Sequence, residues 1–237
     1  MSKAGYIEAV VLAGGQGTRL KPYTTTLPKP LVPIGERAII EILLGQLKKG
    51  GVTRVHIALN HLAHLIEAVV GDGSRFGLEV AYYREEKPLS TVGPLKYIKN
   101  LPENFIVANG DILSDIDVGR LFEHHLNSGA RVTVATSERL EKVDFGVMEI
   151  SDSGFVEGFK EKPEYHFIVS MGIYVFNRAV LQFVPEGVKY GFDDLMYDLL
   201  RREEPVGYYP YEGYWLDIGR PGDYEKACRD IAIIEKL

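Results

Sequence analysis

The stretch Ile7-Glu8-Ala9-Val10-Val11-Leu12-Ala13-Gly14-Gly15-Gln16-Gly17-Thr18-Arg19-Leu20 decides the fold. Its first half, Ile7–Ala13, is a short apolar run of the kind that forms a buried strand, and it feeds directly into glycines. Glycine admits positive φ and close backbone approach, so the N–H groups of such a turn can face phosphate oxygens. Two common phosphate loops are excluded. The Walker pattern needs Gly-Lys-Ser/Thr, which does not follow here, and the dinucleotide fingerprint needs a glycine where Leu20 stands. A tight turn without a ligand stays open as the alternative.

Outward from this stretch, helical and strand-like periods alternate. Arg37–Lys49 repeats apolar residues near every 3.6 positions and stops at Gly50-Gly51. Val52–Leu59 reads as a strand, His61–Val70 as a helix, Leu78–Arg84 as a strand and Thr91–Lys99 as a helix. Phe105–Ala108 is a strand running into Asn109-Gly110-Asp111. Such alternation predicts a parallel sheet covered on both faces. Beyond about Ser137 the pattern changes to the strand-like runs Phe145–Ile150, Gly154–Lys160 and Phe167–Phe176, which predict an antiparallel extension. Helices over Arg178–Phe183 and Asp193–Arg202 follow, then Val206–Tyr211, Tyr214–Asp217 and a helix opened by Pro221.

The bulk numbers bound the function. The 237 residues suit one domain, 1–237. The net charge of −6, from 27 basic and 33 acidic residues, argues against nucleic acid as a partner, so phosphate substrates need local cations or metal ions. One cysteine, Cys228, excludes an internal disulfide framework and a four-cysteine metal site. The polar Met1–Tyr6 lacks a signal-peptide core, and no apolar run approaches the roughly 20 residues of a membrane span. A cytoplasmic protein without membrane contact is expected.

Charged groups with a chemical use stand at defined places. Arg19 closely follows the glycines, and Lys29 lies in Leu27-Pro28-Lys29-Pro30, stiffened further by Pro22 and Pro33. A stiff loop bearing Arg and Lys suits a polyphosphate clamp, with Lys29 expected to be exposed when no nucleotide is bound. Two solvated cations on a rigid loop are the plainer alternative. Asp111 closes a strand of the parallel half, where ligands of open α/β sheets bind. Asp217 sits among apolar neighbours in Trp215-Leu216-Asp217-Ile218 and needs a partner for its charge. A capping or turn role is the alternative for each. Asp193-Asp194 reads as a helix cap. Lys160-Glu161-Lys162-Pro163, taken alone, is an ordinary charged turn.

Leu12 to Leu20, followed by Pro28-Lys29-Pro30, resembles the signature of the sugar-1-phosphate nucleotidyltransferases, and the resemblance runs through nearly the whole chain. It implies a Rossmann-like three-layer α/β fold with a mixed, mostly parallel central sheet and a small antiparallel sugar-binding extension. It implies an NTP-binding half, 1–136, and a sugar-phosphate-binding half, 137–237. On the NTP side it implies Leu12, Ala13, Gly14, Gly15, Gly17 and Thr18 in the glycine loop, with Arg19 and Lys29 on the phosphates. Ser90, Thr91 and Gly93 fall in the base-reading loop, where Ser90 replaces a usual glycine. Asp111 and Asp217 are implied as Mg²⁺ ligands, and Arg19, Lys29 and Asp111 as catalytic residues. Gly146, Glu161, Lys162, Ser170 and Gly172 are implied in the sugar-phosphate pocket, Ser170 standing where Asn is usual. The implied reaction is Mg²⁺-dependent transfer from an NTP to a sugar 1-phosphate, releasing pyrophosphate. The base-reading loop is most similar to that of mannose-1-phosphate guanylyltransferases, and the short chain resembles guanylyltransferases for manno-configured heptose phosphates, which together point to GTP. UTP or dTTP with a glucose-like or amino sugar is the alternative. A catalytically silent relative would be marked by loss of Arg19, Lys29, Asp111 or Asp217, and all four are present. A homo-oligomer is left open.

Overall fold

The computed structural model describes residues 6–237, so of the polar N-terminus only Tyr6 lies within the described residues. The chain runs β1 (Ile7–Ala13), the ribbon β2 (Pro33–Ile34) and β3 (Arg37–Ala38), α1 (Ile39–Lys49), β4 (Val52–Leu59), α2 (Ala63–Val70), β5 (Glu79–Arg84), β6 (Asn104–Asn109) and β7 (Ile112–Ser114). It continues with α3 (Val118–Ser128), β8 (Val132–Lys142), β9 (Val147–Ile150), β10 (Val156–Lys160), β11 (Glu164–Asn177), α4 (Phe192–Arg201), β12 (Val206–Pro210), β13 (Trp215–Asp217), α5 (Pro221–Arg229) and α6 (Ile231–Ile234).

Seven strands form the central sheet in the order β12-β8-β11-β6-β1-β4-β5. Strands β6, β1, β4 and β5 are mutually parallel, and β11 alone is reversed, antiparallel to both β6 and β8. The sheet is therefore mixed and mostly parallel. Alternate residues of β1 face opposite layers, as the two-residue period of a strand requires. Ala9, Val11 and Ala13 pack with Leu43, Leu44 and Leu47 of α1 and Ile66 of α2. Val10 packs on the other side with Leu95, Phe105, Leu195 and Leu199. Burial on both faces explains why β1 reads as a continuous apolar run. A third cluster joins Leu20, Ile34 and Ile39 to Leu216, Ile218, Ala227 and Ile234, and so ties β13, α5 and α6 to the segment after the glycine turn. Among the described residues no helix is long and apolar enough to cross a membrane.

Several elements differ from the sequence reading. Helix α1 begins at Ile39 because Arg37 and Ala38 pair with Ile34 and Pro33. Thr91–Lys99 is not an α-helix; only Gly93–Tyr97 winds, as a 3₁₀ turn, because Val92 and Gly93 both donate their N–H to Tyr190 O. Arg178–Phe183 is likewise 3₁₀. Strand β8 runs through the point near Ser137 where the sequence pattern changes. Its Val132–Ala135 end is buried and its Glu138–Lys142 end exposed, so no single period marks it. Beyond Thr136 and Ser170 the paired β8 and β11 leave the sheet as a two-stranded arm, and the connection between them carries the β9–β10 hairpin. That arm is the antiparallel extension.

Candidate active site

The carboxyl ends of the parallel strands converge, as ligand-binding edges of open α/β sheets do. Gly14 follows β1, Asn60 follows β4, Glu85 follows β5, and Asn109 closes β6 two residues before Asp111. With Leu12, Gly15, Ser90, Thr91 and Lys189, these residues line a cavity of about 480 Å³. A Cβ on Gly14 would lie 3.3 Å from Asn60 Cβ and 3.4 Å from Glu85 Oε1, so a side chain there would intrude on the cavity wall. Gly110 donates its N–H to Leu12 O at 2.9 Å, which holds Asp111 against the glycine turn.

Of the loop residues Ser90, Thr91 and Gly93, only the first two face this cavity. Ser90 holds φ +70°, the left-handed conformation natural to glycine, so the backbone path is kept despite the substitution. Thr91 Oγ1 accepts from Phe192 N at 2.9 Å and caps α4. Gly93 is buried, and a Cβ on it would lie 2.8 Å from Leu89 Cβ; it packs the loop and does not line the cavity. Ala13, Gly17 and Thr18 line neither of the two cavities described here. Ala13 is buried in β1, and Thr24 Oγ1 donates to Gly17 O at 2.7 Å. Glu85 Oε2 accepts from Leu89 N at 3.2 Å and from Asn60 Nδ2 at 3.5 Å. Burial pushes the Glu85 carboxyl above the usual carboxylate range, against these hydrogen bonds. Glu86 is exposed.

Three charges meet below the glycine turn. Strand β13 pairs antiparallel with β7, placing Asp217 opposite Ile112, and Ile218 N donates to Asp111 O at 3.1 Å. Lys29 Nζ donates to Asp111 Oδ2 and lies 3.9 Å from Asp217 Oδ1. Lys29 is 9 % exposed, which corrects the expectation that this stiff loop holds it out in solvent when no nucleotide is bound. The Lys29–Leu31 turn folds it beneath the glycine turn, where a Cβ on Gly17 would lie 3.2 Å from Lys29 Cβ. Burial raises the Asp217 carboxyl, and Asp111 raises it further, while Lys29 and Arg19 oppose this. Asp217 does not cap α5; Asp223 Oδ2 does so, accepting from Arg220 N at 2.8 Å. The N-cap of α4 is Gly191 and neither aspartate of the Asp193-Asp194 pair; both lie in the first turn, where Asp194 accepts from Gly191 N at 2.8 Å.

The fit to Mg²⁺ can be tested on this geometry. Asp111 Oδ1 is buried with no hydrogen-bond partner among the described residues. An unpaired buried carboxylate oxygen is costly and calls for a cation. No cluster of three or more His, Cys, Asp or Glu able to hold a metal occurs among the described residues. The two carboxylates Asp111 and Asp217, which share Lys29, are a donor set that fits Mg²⁺, an ion that takes one or two carboxylates and completes its shell with phosphate and water.

Arg19 lies in a second cavity, of about 410 Å³, with Arg139, Trp215, Asp217 and Arg220. Asp111 lines the first cavity and Asp217 the second, and Lys29 bridges the two carboxylates. The remaining candidates fall in two groups. Gly172 holds φ +75° where β11 bulges, and a Cβ on it would lie 2.6 Å from Asn109 Nδ2. Ser170 Oγ accepts from Gly172 N at 3.3 Å and donates to Tyr174 OH at 3.1 Å. On the arm, Gly146 faces Glu161, with Oε2 3.3 Å from where a Gly146 Cβ would be, and Lys162 turns the chain at φ +43°. Sequence reading missed Asn60 and Lys189 as site residues and Arg139 and Arg220 in the second cavity. Asn60 carries a usable signal, since it directly follows a parallel strand. Lys189 carries none, because it reaches the cavity from the loop before α4.

Known proteins resemble the chain in sequence and in shape. A UTP–glucose-1-phosphate uridylyltransferase of Synechocystis is 33 % identical over 245 residues, covering 95 % of this chain and 63 % of its own length. A D-glycero-alpha-D-manno-heptose 1-phosphate guanylyltransferase of Aneurinibacillus thermoaerophilus is 31 % identical, covering 95 % and 98 %. The chain thus spans about six-tenths of the first relative and nearly all of the second. The crystal structure of HddC from Yersinia pseudotuberculosis, also solved with GMP-PN, is 28 % identical with a TM-score of 0.73, covering 94 % of this chain and 99 % of its own. Residues 8–233 match the nucleotidyl transferase family, and the chain belongs to that family.

Proposed function

We propose that this chain transfers a nucleotidyl group from an NTP to a sugar 1-phosphate, yielding an NDP-sugar and pyrophosphate. The observation that carries this reading is the Asp111–Lys29–Asp217 array at the junction of two cavities. A phosphate oxygen of the sugar phosphate attacks the α-phosphorus in line, and pyrophosphate departs. The attacking oxygen is already an anion, so no general base is needed, and rate enhancement comes from alignment and charge neutralisation. Gly14 and Gly15 offer backbone room for the triphosphate, while Lys29 and Arg19 neutralise it from below. Asp111 and Asp217 would hold Mg²⁺, which when bound would supply further neutralisation of the phosphates. Gly146, Glu161, Lys162, Ser170 and Gly172 hold the sugar phosphate, with the Lys162 cation orienting it.

GTP with a mannose- or heptose-like sugar 1-phosphate is the favoured pair. Guanine presents N1–H and N2–H₂ side by side, and one carboxylate can accept both. Glu85 is a carboxylate on the nucleotide cavity wall. The manno-heptose guanylyltransferase relative and the GMP-PN complex of HddC support the same base. The uridylyltransferase relative keeps UTP with glucose 1-phosphate as the second reading. The test is a matrix of GTP, UTP, dTTP, CTP and ATP against mannose-, heptose- and glucose-type sugar 1-phosphates, with products identified by mass. A dominant GDP-sugar is expected. A dominant UDP- or dTDP-sugar overturns the base, and absence of pyrophosphate with every pair overturns the activity.

A further inference from the structure

The second cavity is richer in cations than the first. Lys189 is the one cation on the wall of the first, against Glu85 and Asp111. The second is walled by Arg19, Arg139, Arg220 and Lys226, against Glu138, Asp217 and Asp223. Two of those four cations are already engaged, Arg139 with Glu141 at 2.5 Å and Lys226 with Asp230 at 2.8 Å. Arg19 and Arg220 form no ion pair among the described residues. Asp223 is spent on the backbone, where its Oδ2 accepts from Gly219 N at 3.1 Å and Arg220 N at 2.8 Å, and this pins the loop that carries Arg220. A Cβ on Gly219 would lie 3.6 Å from Arg19 Nη2, so the Arg19 guanidinium lies against that same loop, one residue from Arg220.

We infer that Arg220 is a further phosphate-binding residue, which with Arg19 holds the β- and γ-phosphates of the NTP, and the pyrophosphate they become, in the second cavity. The identity of the ligand rests on the proposed reaction. There the bond from the α-phosphorus to the α–β bridging oxygen breaks, its electron pair leaves with that oxygen, and negative charge grows on the β-phosphate. The planar fork of a guanidinium matches phosphate oxygens two at a time. A cation already fixed in place opposes the growing charge with little reorganisation. Asp111 lines the first cavity, Asp217 lines the second, and Lys29 joins them. A triphosphate whose α-phosphorus lies at that junction therefore extends its terminal phosphates towards Arg19 and Arg220. The first cavity, with one cation against two carboxylates, offers them no equal neutralisation. The rival occupant is the sugar phosphate, because Glu138 and Arg139 stand on β8 where the arm leaves the sheet. It carries a single phosphate, and two unpaired guanidiniums favour the ligand with two.

The test is isothermal titration calorimetry of the full chain with pyrophosphate and, separately, with mannose 1-phosphate, Mg²⁺ being present throughout. The parent should bind pyrophosphate. Arg220→Met should weaken that binding by about tenfold or more, the scale of losing a charge-assisted contact, and leave mannose 1-phosphate unchanged. Arg220 is exposed, so the circular dichroism spectrum should be kept. Arg220→Lys retains the charge without the fork and should recover part of the loss. Arg120→Met removes an exposed cation from α3 and should not alter pyrophosphate binding. A parent that binds no pyrophosphate overturns the inference, as does Arg220→Met binding it like the parent. A loss that Arg120→Met reproduces, or that falls equally or more on mannose 1-phosphate, overturns it too. Calorimetry reads binding without turnover, so failure here is separable from failure of the proposed activity, which the substrate matrix reports.

Discussion

Replacing Lys29 by Met keeps the aliphatic stem and deletes the charge between two carboxylates. In the native chain Lys29 Nζ serves Asp111 directly and Asp217 at 3.9 Å, with the three side chains 11 %, 22 % and 47 % exposed. Removing one partner of a fully buried pair costs about 3–5 kcal/mol. Here the partial exposure of Asp217 screens part of that, so we expect about 2 kcal/mol. For a chain of this size that lowers Tm by roughly 4–8 °C. The two carboxylates left behind then form a better cation site than in the parent. Mg²⁺ should therefore restore the variant more than it raises the parent, by up to about 2.7 kcal/mol at a hundred times its Kd. The assay is thermal melting of both proteins across a Mg²⁺ titration, without substrates. An unchanged Tm would show that the ion pair contributes nothing. Equal Mg²⁺ responses would remove the link between Lys29 and the metal.

Asp111→Asn preserves shape and removes the charge that holds the cation; turnover should fall by at least about 100-fold, the scale of losing one electrostatic stabiliser, with the circular dichroism spectrum retained. His125 is buried, bonded to Thr133 Oγ1 at 2.8 Å and Asn104 Oδ1 at 3.1 Å, and burial pulls it down from 6.5 to about 4. The unfolded chain binds the extra proton between those values, so stability should fall as pH drops from 6.5 towards 4, by about 3 kcal/mol at most. His125→Gln should flatten that slope in urea denaturation, and an identical slope would refute the assignment. Gly172→Ala places a Cβ 2.6 Å from Asn109 Nδ2 at φ +75° and should destabilise by about 1–3 kcal/mol, read from the denaturation midpoint. Full stability would show that the bulge relaxes freely.

The sequence by itself determined the class of fold and the place of the nucleotide turn. Ile7–Ala13 is apolar at every position but Glu8 because both faces of β1 are covered, and its glycines follow where the backbone has to approach Asn60 and Glu85. Strands and helices with one clean period were legible for the same reason. Local sequence could not carry what depends on partners distant along the chain. Lys29 looked like an exposed arm until the fold buried it against Asp111, 82 residues away. Thr91 and Gly93 became a helix cap and a packing point because α4 and Tyr190 return to them. Strand β8 escaped notice because half of it lies in the sheet and half in the arm. Asp111 and Asp217 were each readable as cap or metal ligand. Only the pairing of β7 with β13 brings them to one lysine and leaves Asp111 Oδ1 without a partner, since burial and charge are set by the assembled fold.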